Sequence, residues 1–225
     1  MSSRAEPGGS PRRLLVVADD LGYDPAIDRG ILEAHCRGLV TAASAMVDTP
    51  FAAATLAAAP RSLAMGLHLV LPEGADAGRA REELSRQVAR FEALRGSFPS
   101  HLDGHRHVHA APGVLAALLP WAAAHGVRVR ALDPAMRDRV RAAGAPATDR
   151  FLGDAAMRPC WTLERLLAAL AELPAGTSEL MCHPGYAPTH VRTSFGRERE
   201  EELAALCDPR ARAALRERGI EAIGR

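Results

Sequence analysis

The 225 residues carry 28 basic and 27 acidic side chains, a formal net charge of +1, and 48% hydrophobic residues spread along the chain. That length suits one domain with a sizeable core, and the balanced charge excludes the basic stripe of a nucleic-acid reader. No apolar run approaches the ~20 residues of a membrane span. The first residues, polar and rich in Gly and Pro, hold no signal-peptide apolar segment. Four distant cysteines (Cys36, Cys160, Cys182, Cys207) without a C-x-x-C pair read as reduced thiols. A cytoplasmic protein is expected, with residues 1–12 as a disordered tail and 13–225 as a single domain.

In chain order the pattern alternates strand and helix. Leu14 to Ala18 is a continuous apolar run, suited to a strand covered on both faces, and it stops at Asp19-Asp20. Asp24-Pro25 supplies an N-cap and a first-turn proline for a helix that Gly38 closes. Strands are expected at Leu39–Val47, Leu63–Leu71, His101–His105, Val127–Leu132, Ser178–Cys182 and Ile220–Ile223. Helices are expected from Phe51 to Ala59, Arg79 to Leu94, Pro112 to Gly126, Thr162 to Leu173, Glu198 to Leu206, and from Asp208-Pro209 to Gly219. The segment from about 133 to 159 has no clear pattern. Such alternation implies an α/β fold whose mainly parallel strands either close into a barrel or stay a doubly wound open sheet. Since a full eight-unit barrel takes ~250 residues, a (β/α) barrel here would be irregular or trimmed. The run Arg197 to Glu202 reads as a solvated helix face.

The chemistry-bearing residues fall at strand ends. Asp19-Asp20, His68, His105 and His183 each lie at or near the C-terminal end of a different expected strand, the edge that carries active sites in parallel α/β folds. Adjacent carboxylates after an apolar strand are costly to bury unless a cation or hydrogen bonds compensate. Adjacent strand side chains point in different directions, so one can meet a metal while the other faces substrate. Taken alone, His68 in an apolar strand reads more readily as a core histidine. The stretch from His101 to His109 holds four of the nine histidines, and His101, Asp103, His105, His107 and His109 share one parity, with Gly104 expected to bend the strand so that not all five stay aligned. Imidazoles there suit a borderline divalent metal, with Asp103 able to orient a ligand histidine through its second nitrogen. His183, just after an apolar strand, suits a general acid or base. Cys182 beside it faces the core. These residues leave open a hydrolase of an amide or a phosphoester, or a metal- or sugar-binding module without catalysis.

Four blocks in order, Val17-Ala18-Asp19-Asp20-Leu21-Gly22, Gly66-Leu67-His68, His101 to His109 and Cys182-His183-Pro184-Gly185-Tyr186, resemble the signature blocks of the YdjC-like carbohydrate deacetylases. The resemblance runs from about Leu14 to near the C-terminus. It implies a barrel related to polysaccharide deacetylases and removal of an N-acetyl group from an amino sugar or a lipid-linked sugar. It implies one divalent metal (Mg2+ or Zn2+) held by Asp20, His68 and His105, with Asp19 as catalytic base and His183 as acid. Asp103, His107, His109 and Tyr186 then support the ligands or meet substrate, and a homodimer is compatible with the family. The chain departs from the pattern at Leu21, where an aromatic is usual, and in its short connection from Pro72 to Pro99.

Overall fold

The structure, a computed structural model, describes residues 10–153 and 160–224. Most of the expected tail, residues 1–9, and part of the unassigned stretch, 154–159, lie outside the described residues. The elements are β1 (Arg12–Leu21), α1 (Pro25–Arg37), β2 (Ala42–Ala45), α2 (Ala52–Ala58), β3 (Ala64–Leu69), α3 (Ala77–Arg95), β4 (His101–Gly104), a 3-10 segment (His105–Ala110), α4 (Pro112–His125) and β5 (Arg128–Val129). Then follow α5 (Pro134–Ala142), β6 (Arg150–Leu152), α6 (Leu163–Ala171), β7 (Gly176–Cys182), α7 (Arg197–Cys207), α8 (Pro209–Glu217) and β8 (Ile220–Ala222).

All pairings are parallel, in the order β5-β4-β3-β2-β1-β7-β6, with β8 beside the first residues of β1. The sheet curls into a half-barrel, the trimmed form of the expected (β/α) barrel. Residues approaching β6 bridge its open side: Val129 N donates to Pro146 O at 2.9 Å, and Asp149 N to Thr177 O at 2.7 Å. The outer face of the sheet packs under helices through residues such as Leu14, Val16, Ile27, Ile31 and Leu67. Leu15, Val17, Ala42 and Ala64 form a separate small cluster on the inner face.

Local chemistry explains the boundaries. Asp24 caps α1 by accepting from Ala26 N at 2.8 Å, with Pro25 in the first turn. Gly38 ends that helix, but its φ of −112° is not left-handed; what demands glycine is space, since a Cβ would lie 2.7 Å from Leu206 O. The unassigned middle contains α5, capped by Asp133 onto Met136 N at 2.8 Å, and β6.

Candidate active site

Asp19 and Asp20 do not point apart as regular alternation predicts. Between the pairs Ala18↔Ala43 and Leu21↔Ala45, β1 takes one more step than β2, and Asp20 sits at φ +73°. This bulge turns both carboxylates, 1% and 2% exposed, into one cavity. A left-handed non-glycine residue costs about 1–3 kcal/mol, so its surroundings must hold it. Gly22, two residues on, supplies that grip: its N–H donates to Asp28 Oδ1 at 2.6 Å and its carbonyl accepts from Thr49 Oγ1.

His68 on β3 and Asp103 on β4 are register partners, and His68 Nδ1 meets Asp103 Oδ1 at 2.7 Å. That bond leaves Nε2 facing Asp20 Oδ1 at 3.4 Å. The carboxylate is itself held from below. Ser44 Oγ donates to Asp103 Oδ2 at 2.6 Å, so it accepts from His101 Nε2 at 3.0 Å; His101 Nδ1 then faces Ser100 Oγ at 3.0 Å. Burial holds His101 neutral, down at about 3, against the pull of Asp103. The glycine at 66 makes room for this ring, because a Cβ there would collide with the His101 imidazole.

Beyond Gly104 the strand ends. The shared parity of His101 to His109 therefore fails after Gly104: Arg106 and His107 are left-handed, at φ +53° and +55°, and the chain coils. The coil brings His105 Nδ1 to 3.2 Å from Asp20 Oδ1 and sets His107 in the cavity wall. His109 is fully buried, its Nε2 against Arg130 O at 3.3 Å. Asp20, His68 and His105 thus converge, with one ligand atom of each within 4.8 Å of the others. A second set, Asp19, His68 and Asp103, meets the same distance, but its carboxylates are already taken by a guanidinium.

That guanidinium belongs to Arg130, just after β5, which motif reasoning missed. It is 1% exposed and grips Asp19 with both Nη atoms (2.7 and 2.8 Å), Asp103 Oδ2 at 2.8 Å and Glu179 Oε1 at 2.6 Å. Burial, the largest influence, raises the Asp19 pKa and Asp103 adds to it, yet the charge and hydrogen bonds of Arg130 together with His68 hold the carboxyl below its usual range. A second missed arginine, Arg199, holds Asp20 Oδ2 at 2.6 Å through Nη2. Against burial, Arg199 and the hydrogen bonds of His105 and His68 keep Asp20 well below the ordinary carboxylate range. Arg199 and Glu202 come from α7, so the run read as a solvated face is buried on one side, both residues being at most 3% exposed. Positions 199 and 202 lie on one helix face, the only signal that could have flagged them.

His183 follows β7 and stands beside Asp19, Nε2 to Oδ2 3.9 Å. Its N–H donates to Glu202 Oε2 at 2.5 Å, and Trp161 N donates to Glu202 Oε1 at 3.1 Å. Burial lowers His183 to about 4 despite the opposing carboxylates of Asp19 and Asp20. Tyr186 lies elsewhere: its hydroxyl donates to Glu33 at 2.6 Å and Arg29 covers its ring at 4.0 Å, and it does not line the cavity. Cys182 is buried against Val17 O, turned from the cavity as its parity predicted.

The cavity, about 330 Å³, is walled by Asp19, Asp20, His68, His105, His107 and His183, with Arg192, Thr193 and Ser194 at one side. Three buried carboxylates, Asp19, Asp20 and Asp103, face two guanidiniums here, and one of these also serves Glu179. The imbalance favours a cation. His68 registers it: burial would lower its pKa, yet Asp103 and Asp19 push it up to about 10. One carboxylate and two imidazoles form a donor set that fits a divalent metal and leaves positions open.

Comparisons with known proteins find relatives along nearly the whole chain. The family model described as YdjC-like protein matches residues 13–82 and 74–217. A carbohydrate deacetylase of Geobacillus stearothermophilus is 33% identical over 243 aligned residues, covering 95% of this chain and 96% of that one. A solved structure from Enterococcus faecalis V583, described there as a candidate cellobiose-phosphate cleavage protein, superposes with a TM-score of 0.83 at 24% identity, covering 95% of this chain and 97% of that one. A family 4 acetyl xylan esterase from Clostridium thermocellum, solved with a cobalt ion, shares the fold at a TM-score of 0.56 and 14% identity, over 94% of this chain and 87% of that one.

Proposed function

Because the chain belongs to the YdjC-like protein family, we propose that it is a hydrolase that removes the N-acetyl group of an amino sugar. The observation that carries this reading is the pairing of Asp19 and His183 directly beside the Asp20, His68 and His105 cluster in one cavity. The relative named a carbohydrate deacetylase supports the substrate class.

Asp20, His68 and His105 would hold one divalent cation, Mg2+ or Zn2+, which when bound polarises an acyl oxygen and acidifies water. Asp19 orients the attacking water and takes its proton. Clamped by Arg130, Asp19 is a weak base and does not keep that proton. His183, neutral at rest because burial holds it at about 4, stands 3.9 Å away to receive it. From Nε2 the proton passes to the amide nitrogen as the C–N bond breaks, since an unprotonated amine leaves poorly. Acetate and a free amine result. Glu202, by fixing the His183 backbone, sets where that proton is delivered.

A trough of about 640 Å³ adjoins the cavity through His105 and Arg106, lined by Val70, Leu71, Pro72 and Val108. It favours substrates that carry an apolar group beside the sugar, lipid-linked ones included. The test uses chelator-stripped protein reloaded with Mg2+ or Zn2+, and a panel of N-acetylated sugars read by acetate release and mass spectrometry. One acetate is expected per product lighter by an acetyl group, lost again on chelation. Release of phosphate in place of acetate from sugar phosphates would make this a phosphoesterase. Metal binding without turnover of any panel member would leave a binding module.

A further inference from the structure

At the N-terminal ends of β3, β4 and β5, opposite the strand ends that carry the catalytic residues, lies a second cavity of about 530 Å³. Arg61, Arg95, Arg128, Ser97, Phe98 and Ser100 line it, and none of its lining residues is acidic. Three guanidiniums share one concavity without a carboxylate in its wall. Like charges so placed repel unless an anion joins them.

Arg95 has a structural explanation. It is 8% exposed and donates to Leu56 O, Ala59 O and Pro60 O at 2.8 to 3.0 Å, closing the end of α2. The other two do not. Arg61 is exposed and, among the described residues, donates a hydrogen bond to Arg95 O, at 3.4 Å. Arg128 Nη2 is buried with no hydrogen-bond partner among the described residues. An unmatched buried guanidinium N–H is costly and marks a place where an acceptor belongs. Burial, and then Arg61, lowers the pKa of Arg95; burial lowers that of Arg128 against Glu179. Beside these cations, Phe98 is half exposed, the one large exposed hydrophobic side chain among the described residues. Its ring stacks on His125 at 5.3 Å, and His125 on Trp121 at 4.8 Å, a stack that holds Phe98 in place beside the cations.

We propose that this cavity binds a small phosphate-bearing molecule, its oxyanion held by Arg61 and Arg128 with Phe98 alongside. Phosphate suits the pair better than a carboxylate does, because a tetrahedral dianion accepts from two planar forks at once. The source is either free phosphate or a phosphate ester that lays its organic part on Phe98.

The test is calorimetric titration of the full-length, metal-free protein with inorganic phosphate and with phenyl phosphate, at constant ionic strength. Saturable binding of at least one is expected, weakened about tenfold or more by Arg61→Gln and by Arg128→Gln. Arg192→Gln, in the catalytic cavity, leaves that affinity unchanged. Arg61 is exposed, so its variant keeps the fold even where Arg128→Gln does not. Tighter binding of phenyl phosphate assigns the site to an ester, and equal affinities assign it to free phosphate. No saturable binding of either, or binding that Arg192→Gln weakens and Arg61→Gln does not, overturns the proposal.

Discussion

On the outer face of β1, Leu14, Val16 and Ala18 pack under helices in the main apolar core. On its inner face, Leu15 and Val17 meet little more than Ala42 and Ala64 before the lumen turns polar at Asp19. The outer layer is held by buried apolar area, about 25 cal/mol per Å², and tolerates small changes of shape. The inner layer is held by charges that neutralise one another in fixed geometry, where losing one partner strands the rest. Stability and function are therefore separated across the thickness of one sheet.

Substitutions on the two faces should differ in kind. The largest effect belongs to Asp19→Asn: kcat for acetate release should fall roughly 10²- to 10⁴-fold, while elemental analysis finds the metal content unchanged. Arg130→Met should act on stability, since it leaves Asp19, Asp103 and Glu179 buried without their cation; denaturant unfolding should show a loss of about 3–5 kcal/mol. A third expectation concerns pH. Burial pushes Glu202 up to about 7 against the His183 and Trp161 N–H bonds, and a folded pKa above the unfolded one favours folding at low pH. That contribution is complete below the unfolded value and is lost as pH rises through about 7. Melting temperature followed from pH 4 to 8 should reveal this fall, and Glu202→Gln should flatten it. On the outer face, Ile31→Val should cost only about 0.5–1.5 kcal/mol and leave the kinetics intact. An outer substitution that abolished turnover without unfolding the chain would break the separation.

The same contrast decides what the sequence alone could reveal. The outer layer was legible because its period is regular: β1, α1, α3 and β7 fall within a few residues of expectation. Asp19-Asp20, His68, His105 and His183 were expected at one edge, since each ends a strand and parallel strands share that edge; grouping Asp20, His68 and His105 as one set rested on the family resemblance. Arg130 and Arg199 were illegible, because an arginine beside a short edge strand or in a charged helix looks like any solvated arginine. Only the three-dimensional pairing with Asp19 and Asp20 separates them from that background. The bulge at Asp20 was hidden for a similar reason. It is specified jointly by Gly22, Asp28 and Thr49, on three separate segments. Tyr186 shows the converse: it sits three residues past His183, yet its hydroxyl bonds to Glu33 on α1.

The imidazole and hydroxyl donors from His101 through Ser44 on one side, and the His68 ring on the other, converge on the Asp103 carboxylate, which accepts from both. Ser44 has a single hydrogen and gives it to Asp103, which fixes the tautomer of His101 beneath it and keeps the δ nitrogen of His68 protonated above. The ε nitrogen is therefore held facing Asp20 by contacts already in place, so the ring needs no rotation to reach that carboxylate.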